Sequence, residues 1–268
     1  MKKLIIASVV ATGIFAVSQA SAQYSLTGTS YSQNFDQLGS AGTSLSLITG
    51  DGWYAGTNGT KQTATGDAYG QVNGALQSVA PLLVGTGSGN TGGNYNFGAT
   101  SASDRALGSL ASASLTRLTE FRFVNNTGLT ISDLTINYTG EEWRLGKTGN
   151  DTSTGNPDTM FVYYSFDGST FTAAGSSFNF VSPTTSGTTG ALDGNANSVT
   201  GIGGTLSGIN IANGATFYVR WVDPDSSGSD NGLAIDNFSL TAAIPEPSTI
   251  LLVGMGLIGL LTVRRRRS

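Results

Sequence analysis

The chain has 268 residues, of which 38 are Gly and 11% are charged, and it contains neither Cys nor His. Without thiol or imidazole groups, the sequence excludes disulfide bonds, Ser-His-Asp and Cys-His catalytic systems and His-ligated zinc. Its 13 basic and 17 acidic residues give a formal net charge of −4, opposite in sign to the basic surface that nucleic acid requires.

The first 22 residues have the pattern of a secretory signal peptide. Lys2 and Lys3 precede an apolar run over residues 4–17, and residues 20–22 read Ala-Ser-Ala, a small-residue cleavage site. This order predicts export by the Sec machinery, removal of residues 1–22 by signal peptidase and a mature chain that begins at Gln23. An uncleaved N-terminal membrane anchor is the alternative, which the cleavage site disfavours.

Residues 23–243 are expected to form one all-β ectodomain. They are rich in Gly, Ser, Thr and Asn, and apolar residues alternate with polar ones at Phe121 and Phe123 and again at Phe217, Val219 and Trp221. A period of two is typical of strands with one buried face. We therefore predict a single jelly-roll-like β-sandwich, flanked by the N-terminal signal peptide and a C-terminal transmembrane helix.

The charge of this body also bears on its partners. When Lys2, Lys3, Glu246 and the four arginines of residues 264–267 are set aside, 7 of the 13 basic and 16 of the 17 acidic residues remain, a net charge of about −9. Such a surface repels phosphate backbones. The sequence therefore predicts no nucleic-acid partner.

Three residues are candidates for binding an extracellular polysaccharide. Trp143 is followed by Arg144, and Trp221 is preceded by Arg220. An exposed indole beside a polar group can stack on a sugar ring, so Trp143, Arg144 and Trp221 are the predicted ligand-binding residues. The alternative is that both indoles belong to the core, the usual place of Trp in an alternating strand.

An acidic loop after Trp221 is the candidate site for a structural calcium ion. The ligands we predict are Asp223, Asp225, Asp230 and Asp236, because calcium prefers closely spaced oxygen ligands. The twelfth residue counted from Asp223 is Ala234 and not Glu, so the loop is not an EF-hand. A solvated turn rich in Asp and Ser is the alternative.

The adjacent Glu141 and Glu142 are the residues to consider for an enzyme. A glycosidase needs two carboxylates that face one cleft, whereas neighbours on a strand point to opposite faces. We therefore predict a non-catalytic protein with no catalytic residue. A secreted carboxylate- or metal-dependent polysaccharide hydrolase is the alternative.

The C-terminal residues have three parts in a fixed order. Pro245, Glu246 and Pro247 come first, an apolar run over residues 250–263 follows, and Arg264, Arg265, Arg266 and Arg267 precede the last residue. We predict a transmembrane helix over residues 248–263 and a basic tail over 264–268. Because four arginines cross a bilayer only at high cost, they are expected to orient the helix with its end in the cytoplasm.

This order resembles the PEP-CTERM sorting signal of Gram-negative bacteria. The resemblance implies that residues 244–268 are recognised, and the tail removed, by exosortase, a membrane protease. It implies a protein anchored in the inner membrane by its C-terminal helix and then placed at the cell surface or in the extracellular matrix.

The body resembles a β-sandwich domain of exported bacterial proteins. The similarity lies in DRALGSLAS (104–112), FVNNTG (123–128), YTGEEWR (138–144), VRWVD (219–223) and DNGLAIDNF (230–238). This second resemblance implies an architecture and a location outside the cytoplasm, and it brings no established activity.

Overall fold

The computed structural model describes residues 23–40, 51–57, 76–78, 82–112, 115–149, 157–226 and 228–245. These ranges contain sixteen β-strands and two short 3-10 turns, at Asp36–Leu38 and Ser176–Phe178, so the all-β prediction is confirmed. Within the same ranges, no helix has the length and hydrophobicity needed to cross a membrane. The predicted signal peptide and the transmembrane helix over 248–263 lie outside the described residues.

In chain order the strands are β1 (Tyr24–Leu26), β2 (Ser30–Gln33), β3 (Trp53–Thr57), β4 (Gln77–Ser78), β5 (Leu83–Gly85), β6 (Gly93–Phe97), β7 (Ala106–Leu110), β8 (Arg117–Asn125), β9 (Asp133–Leu145), β10 (Thr159–Ser165), β11 (Thr172–Ala173), β12 (Phe180–Val181), β13 (Gly190–Ala191), β14 (Ser198–Leu206), β15 (Thr216–Asp223) and β16 (Gly232–Ala243).

The strands form two sheets. The first sheet has the order β11-β10-β15-β8-β3-β4, with β1 paired to β8 and β12 paired to β10. The second sheet has the order β13-β9-β16-β7-β6-β5, with β14 paired to β9 and β2 paired to β16. Most neighbours run antiparallel, and β1 with β8 and β5 with β6 are parallel pairs.

The core lies between the inner faces of the two sheets and is largely aromatic. Trp53 and Phe121 of the first sheet have ring centroids 5.0 Å apart, and Phe238 of the second sheet lies 5.1 Å from Trp53 and 5.4 Å from Phe121. Tyr138 of the second sheet meets Trp221 of the first at 5.7 Å, edge to face. The alternation of β8 and β15 accounts for this arrangement, since it sends every second side chain inward.

The longest strands, β9 and β16, pair along the middle of the second sheet. Their register shifts between Asp236 and Ser239, where Asn237 has a left-handed φ of 47°. Such a bulge bends the strand pair and increases its twist. Gly140 on β9 lies so close to Phe180 that an added Cβ would be 2.3 Å from the Phe180 ring, so the site accepts no side chain.

We expect Phe121→Ala to lower the free energy of unfolding by about 3–5 kcal/mol, because it leaves a cavity among rings of both sheets. Phe166→Ala is the matched control, since Phe166 is 51% exposed and its ring contacts are with Tyr164 and Phe217 of the first sheet. Its cost should be about 1 kcal/mol or less. Urea unfolding of the two variants measures both values, and equal losses would contradict an inter-sheet core at Phe121.

Candidate functional site

The acidic loop between β15 and β16 lies mostly inside the protein. Asp223 accepts a hydrogen bond from Ser109 Oγ at 2.6 Å, and Asp230 accepts one from the Ser226 backbone N–H at 2.6 Å. Asp223, Ser226 and Asp230 are buried. The loop is therefore an ordered structure in this protein and differs from the solvated turn that was the alternative prediction.

A residue far away in the sequence, Asp158, joins this loop. Its carboxylate accepts hydrogen bonds from Ser226 Oγ and, at 2.8 Å, from the Asn231 backbone N–H. Burial is the main reason that the pKa of Asp223 is raised to about 8 and that of Asp230 to about 9, and the negative charges of neighbouring aspartates, Asp158 among them, contribute to both. Asp158, just before β10, thus holds the loop in place, a contact that was not predicted from the sequence.

The four predicted calcium ligands do not come together as one group. Asp225 is half-buried on the same loop as Asp223 and Asp230, whereas Asp236 is inside β16. Burial raises the pKa of Asp236 to about 7, and the negative charges of Asp104 and Asp36 contribute to that rise. Among the described residues, no three Asp or Glu side chains are grouped in a way that would hold a metal ion.

Trp143 and Trp221 are both buried, with 2% and 0% of their surface exposed. Trp221 lies in the core between the sheets, against Tyr138 and Trp53. Trp143 packs on the outer face of the second sheet with Phe97, whose ring is parallel to the indole at 6.2 Å. Both indoles are thus core residues, which was the alternative to sugar binding. Neither ring has an exposed face that could stack on a sugar.

The loop before β14 covers Trp143. A Cβ added to Gly194 would be 2.2 Å from the indole, which shows how closely that backbone approaches the ring. The indole Nε1 donates to Glu141 at 2.8 Å, and Leu192 N–H donates to the Trp143 carbonyl at 2.8 Å. These contacts hold Trp143 in place and exclude solvent from it.

Arg144 has a different role from its neighbour. It is half-buried, and its guanidinium donates to the backbone carbonyls of Gly87 at 3.1 Å and Ser88 at 3.4 Å. Both acceptors are main-chain atoms in the loop that follows β5. Arg144 therefore fixes the position of that loop, and through it one wall of an open cleft.

This β5–β6 cleft has a volume of about 510 Å³. It is bounded by residues 83–91 on one side and 98–101 on the other, and Tyr95 and Arg105 complete its lining together with Ser40. Ser and Thr hydroxyls make up much of its surface, and Leu83 and Val84 contribute exposed aliphatic groups. The side chains of this cleft form no sequence motif, so the cleft was not predicted.

Glu141 and Glu142 are each engaged in the interior. Glu141 accepts the Trp143 indole hydrogen bond, while Glu142 accepts hydrogen bonds from Ser182 Oγ at 2.8 Å and Thr184 N–H at 2.9 Å. Burial raises the pKa of both, that of Glu141 to about 7. Glu141 is bonded within β9 and Glu142 to the loop after β12, in agreement with the expectation that they do not face one cleft.

A buried ion pair on the outer face of the first sheet was not predicted either. Arg220 on β15 donates from Nε to Glu120 on β8 at 2.6 Å, and Arg122 bonds the other oxygen of the same carboxylate. The Arg220 guanidinium lies 3.6 Å from the Phe171 ring centroid. Residues 120 and 220 are paired across β8 and β15, so the strand register brings these charges together.

Pro245 is exposed, two residues after the end of β16. The rest of the predicted sorting motif, Glu246 and Pro247, lies outside the described residues, as do Arg264, Arg265, Arg266 and Arg267.

Glu141→Gln should make the protein more stable at pH 8 and leave its stability at pH 4 almost unchanged. Because the folded-state pKa is raised from 4.5 to about 7, the wild-type protein loses stability as pH rises through that window. The amide keeps an acceptor for Trp143 and carries no charge. Thermal unfolding at several pH values measures the effect as a flatter profile and a melting temperature a few degrees higher at pH 8.

Asp133→Asn is the control for that experiment. Hydrogen bonds from Ser132 and Gly208 lower the Asp133 pKa, so removing its charge should decrease stability at pH 8. A rise in melting temperature for both variants would show that general charge reduction, and not the burial of Glu141, is responsible.

The clearest similarity of this chain to known proteins lies at its C-terminus. Comparison with curated protein sequences yields no match. A solved structure of TmCBM61 in complex with beta-1,4-galactotriose aligns with 52% of this chain and 72% of its own, at 9% identity and a TM-score of 0.28, a likeness too distant to indicate function. Residues 243–267, in contrast, match the PEP-CTERM protein-sorting motif. The chain therefore carries a PEP-CTERM sorting motif that begins at the last residue of β16.

Proposed function

We propose that this chain is an exported, non-catalytic protein, sorted at its C-terminal motif and retained at the cell surface or in the extracellular matrix, where its β-domain binds polysaccharide. The match of residues 243–267 to the PEP-CTERM motif carries the proposal. An exosortase-type protease, the Sec machinery and signal peptidase are the partners that this route requires. The two-sheet architecture is, in this proposal, a jelly-roll-like sandwich.

The sorting step follows from elementary physics. The apolar run over residues 250–263 halts translocation, and the four arginines after it keep their end of the helix in the cytoplasm. The chain then presents Pro245, Glu246 and Pro247 at the outer boundary of the inner membrane. A protease in that membrane can cleave there and release the folded domain.

The polysaccharide part of the proposal is supported by the composition of the body. Its net charge of about −9 repels other polyanions, while its loops are rich in Ser, Thr and Asn, whose side chains exchange hydrogen bonds with sugar hydroxyls. The hydrolase alternative is not part of the proposal, since Glu141 and Glu142 are committed to interior hydrogen bonds.

A structural calcium ion at the acidic loop stays a prediction. It is supported by the burial of Asp223 and Asp230 close to Asp158, because a cation there would compensate their charges. Since no three of the described carboxylates are grouped to hold a metal ion, the ion would take further ligands from backbone carbonyls and water. Asp225 is a further candidate on that loop, and Asp236 lies apart from it.

Replacement of Pro245, Glu246 and Pro247 by alanine should leave the protein membrane-bound and unprocessed. The helix and the arginines are retained, so anchoring persists while recognition by the protease is lost. Fractionation of the producing cells, with intact mass measurement of each fraction, tests this expectation. The control replaces Thr29, Ser30 and Ser32, which are exposed and outside the motif, and should be processed normally. Normal processing of the motif variant would overturn the sorting proposal.

Addition of millimolar calcium to protein treated with EDTA is expected to raise its melting temperature, because a ligand that binds only the folded state stabilises it. Asp230→Asn should abolish most of that rise, whereas Asp133→Asn, at the start of β9, should leave it intact. Identical melting curves with EDTA and with calcium would contradict the calcium prediction.

A further inference from the structure

The size and shape of the β5–β6 cleft suit a ligand larger than a single ion. Its volume of about 510 Å³ falls within the range of small-molecule sites, roughly 300–1,000 Å³. The cleft is open along the surface, between the loop after β5 and the loop after β6. A short segment of a chain molecule is therefore of a size that the cleft can hold.

The chemistry of the lining favours an uncharged, hydroxylated ligand. Thr86 Oγ1 and Ser88 Oγ are 3.2 Å apart, and Thr91, Thr100 and Ser101 add further exposed hydroxyl-bearing residues. Hydroxyl groups both donate and accept, which matches the hydroxyls of a sugar. No carboxylate belongs to the described lining of this cleft.

The one charged residue of that lining is directed away from a ligand. Arg105 is buried, its Nε donates to the Asn96 side-chain oxygen at 2.6 Å, and its Nη2 donates to the Asn96 carbonyl at 2.6 Å. An anionic ligand would therefore meet no available cation in the lining, and the acidic body would repel it.

Apolar contact is available beside the hydroxyl groups. Leu83 and Val84 on β5 are 37% and 38% exposed, comparable with Leu129, Val181 and Val199 elsewhere on the described surface. The C–H face of a pyranose ring can cover such side chains, which removes apolar surface from water on both partners. Leu83 and Val84, together with the neighbouring hydroxyls of Thr86 and Ser88, thus offer both apolar contact and hydrogen bonds to a sugar ring.

The cleft is held by rigid elements. The Tyr95 ring stacks on Phe97 at 4.8 Å, Phe97 stacks on Trp143, and the Tyr95 hydroxyl donates to the Thr91 carbonyl at 2.5 Å. Arg144 fixes the loop after β5 through the carbonyls of Gly87 and Ser88. A preformed site loses little conformational entropy when a ligand binds.

An extended peptide suits this cleft less well. Addition of a peptide strand to a sheet edge depends on a row of backbone hydrogen bonds, and β5 at the edge of the second sheet is only three residues long. The contacts that the cleft offers are side-chain hydroxyls and short aliphatic groups.

From these observations we infer that the β5–β6 cleft is the binding site for a short segment of a neutral polysaccharide. This inference rests on the polysaccharide-binding part of the proposed function and assigns it a place and a ligand class. Thr86, Ser88 and Ser101 provide hydrogen bonds, Leu83 and Val84 provide apolar contact, and Arg144 is a positioning residue that does not touch the ligand.

Gly89→Leu tests the site by filling the cleft. A Cβ at Gly89 would have Tyr95 Oη as its nearest heavy atom, at 3.9 Å, so a side chain fits without disturbing the fold. Gly28→Leu is the matched control, because Gly28 lies in the turn between β1 and β2 and nothing is within 4 Å of its added Cβ. Thr86→Val combined with Ser88→Ala is a second variant that removes two hydroxyls while keeping the shape of the wall.

The full-length protein in a mild detergent is applied to an array of neutral oligosaccharides (glucan, galactan, mannan and xylan fragments) and anionic ones (oligogalacturonate and alginate). We expect wild type and Gly28→Leu to bind at least one neutral class, and Gly89→Leu and the hydroxyl variant to bind it at least about tenfold more weakly, a change of about 1.4 kcal/mol. Melting curves confirm that each variant is folded.

Three results would overturn the inference, and they can be told apart. Equal binding by wild type and Gly89→Leu would place the glycan elsewhere and leave the proposed function standing. Binding of anionic glycans alone would overturn the ligand class. Absence of all glycan binding would overturn the polysaccharide-binding function and the cleft with it.

Discussion

Contact between aromatic rings of the two sheets is the interaction on which the rest of this structure depends. Trp53, Phe121 and Trp221 project from the first sheet, and Tyr138 and Phe238 meet them from the second. The chain has no disulfide bond to hold the sheets together, so burial of these rings must do so. Once the sheets are packed face to face, their outer faces and connecting loops have defined positions. The acidic loop, the Glu120–Arg220 ion pair and the β5–β6 cleft lie on those faces and loops.

Each outer face is stabilised in its own way. On the first sheet, Glu120 and Arg220 form an ion pair shielded from water, an arrangement in which loss of one partner leaves the other charge uncompensated. On the second sheet, Trp143 and Phe97 form a small apolar cluster that supports Tyr95 beside the cleft. The outer faces are therefore not uniformly polar, in contrast to the simple pattern of one buried and one solvated face.

The alternating sequence pattern was sufficient to predict an all-β fold and the inward direction of Phe121, Phe123 and Phe217, whereas Trp221, a predicted ligand-binding residue, lies in the core. It could not show that the backbone around Gly194 covers Trp143, because the two segments are about fifty residues apart and meet only through the pairing of the sheet. The contact between Asp158 and Ser226 was not predicted for the same reason, since the two residues are distant in sequence. The cleft is formed by short strands and loops whose composition resembles that of any turn, so only the three-dimensional arrangement shows it.

The length of strand β16 also sets the distance between the β5–β6 cleft and Ala243, where the sheet ends and the sorting motif begins. Ala234 lies two strands away from Tyr95, across β7. Ala243, where the sorting motif begins, is nine residues further along the same strand, roughly 30 Å at the usual rise. In the proposed sorting route, in which residues 248–263 are held in the inner membrane, this length of β16 lies between the cleft and the membrane-bound end of the chain.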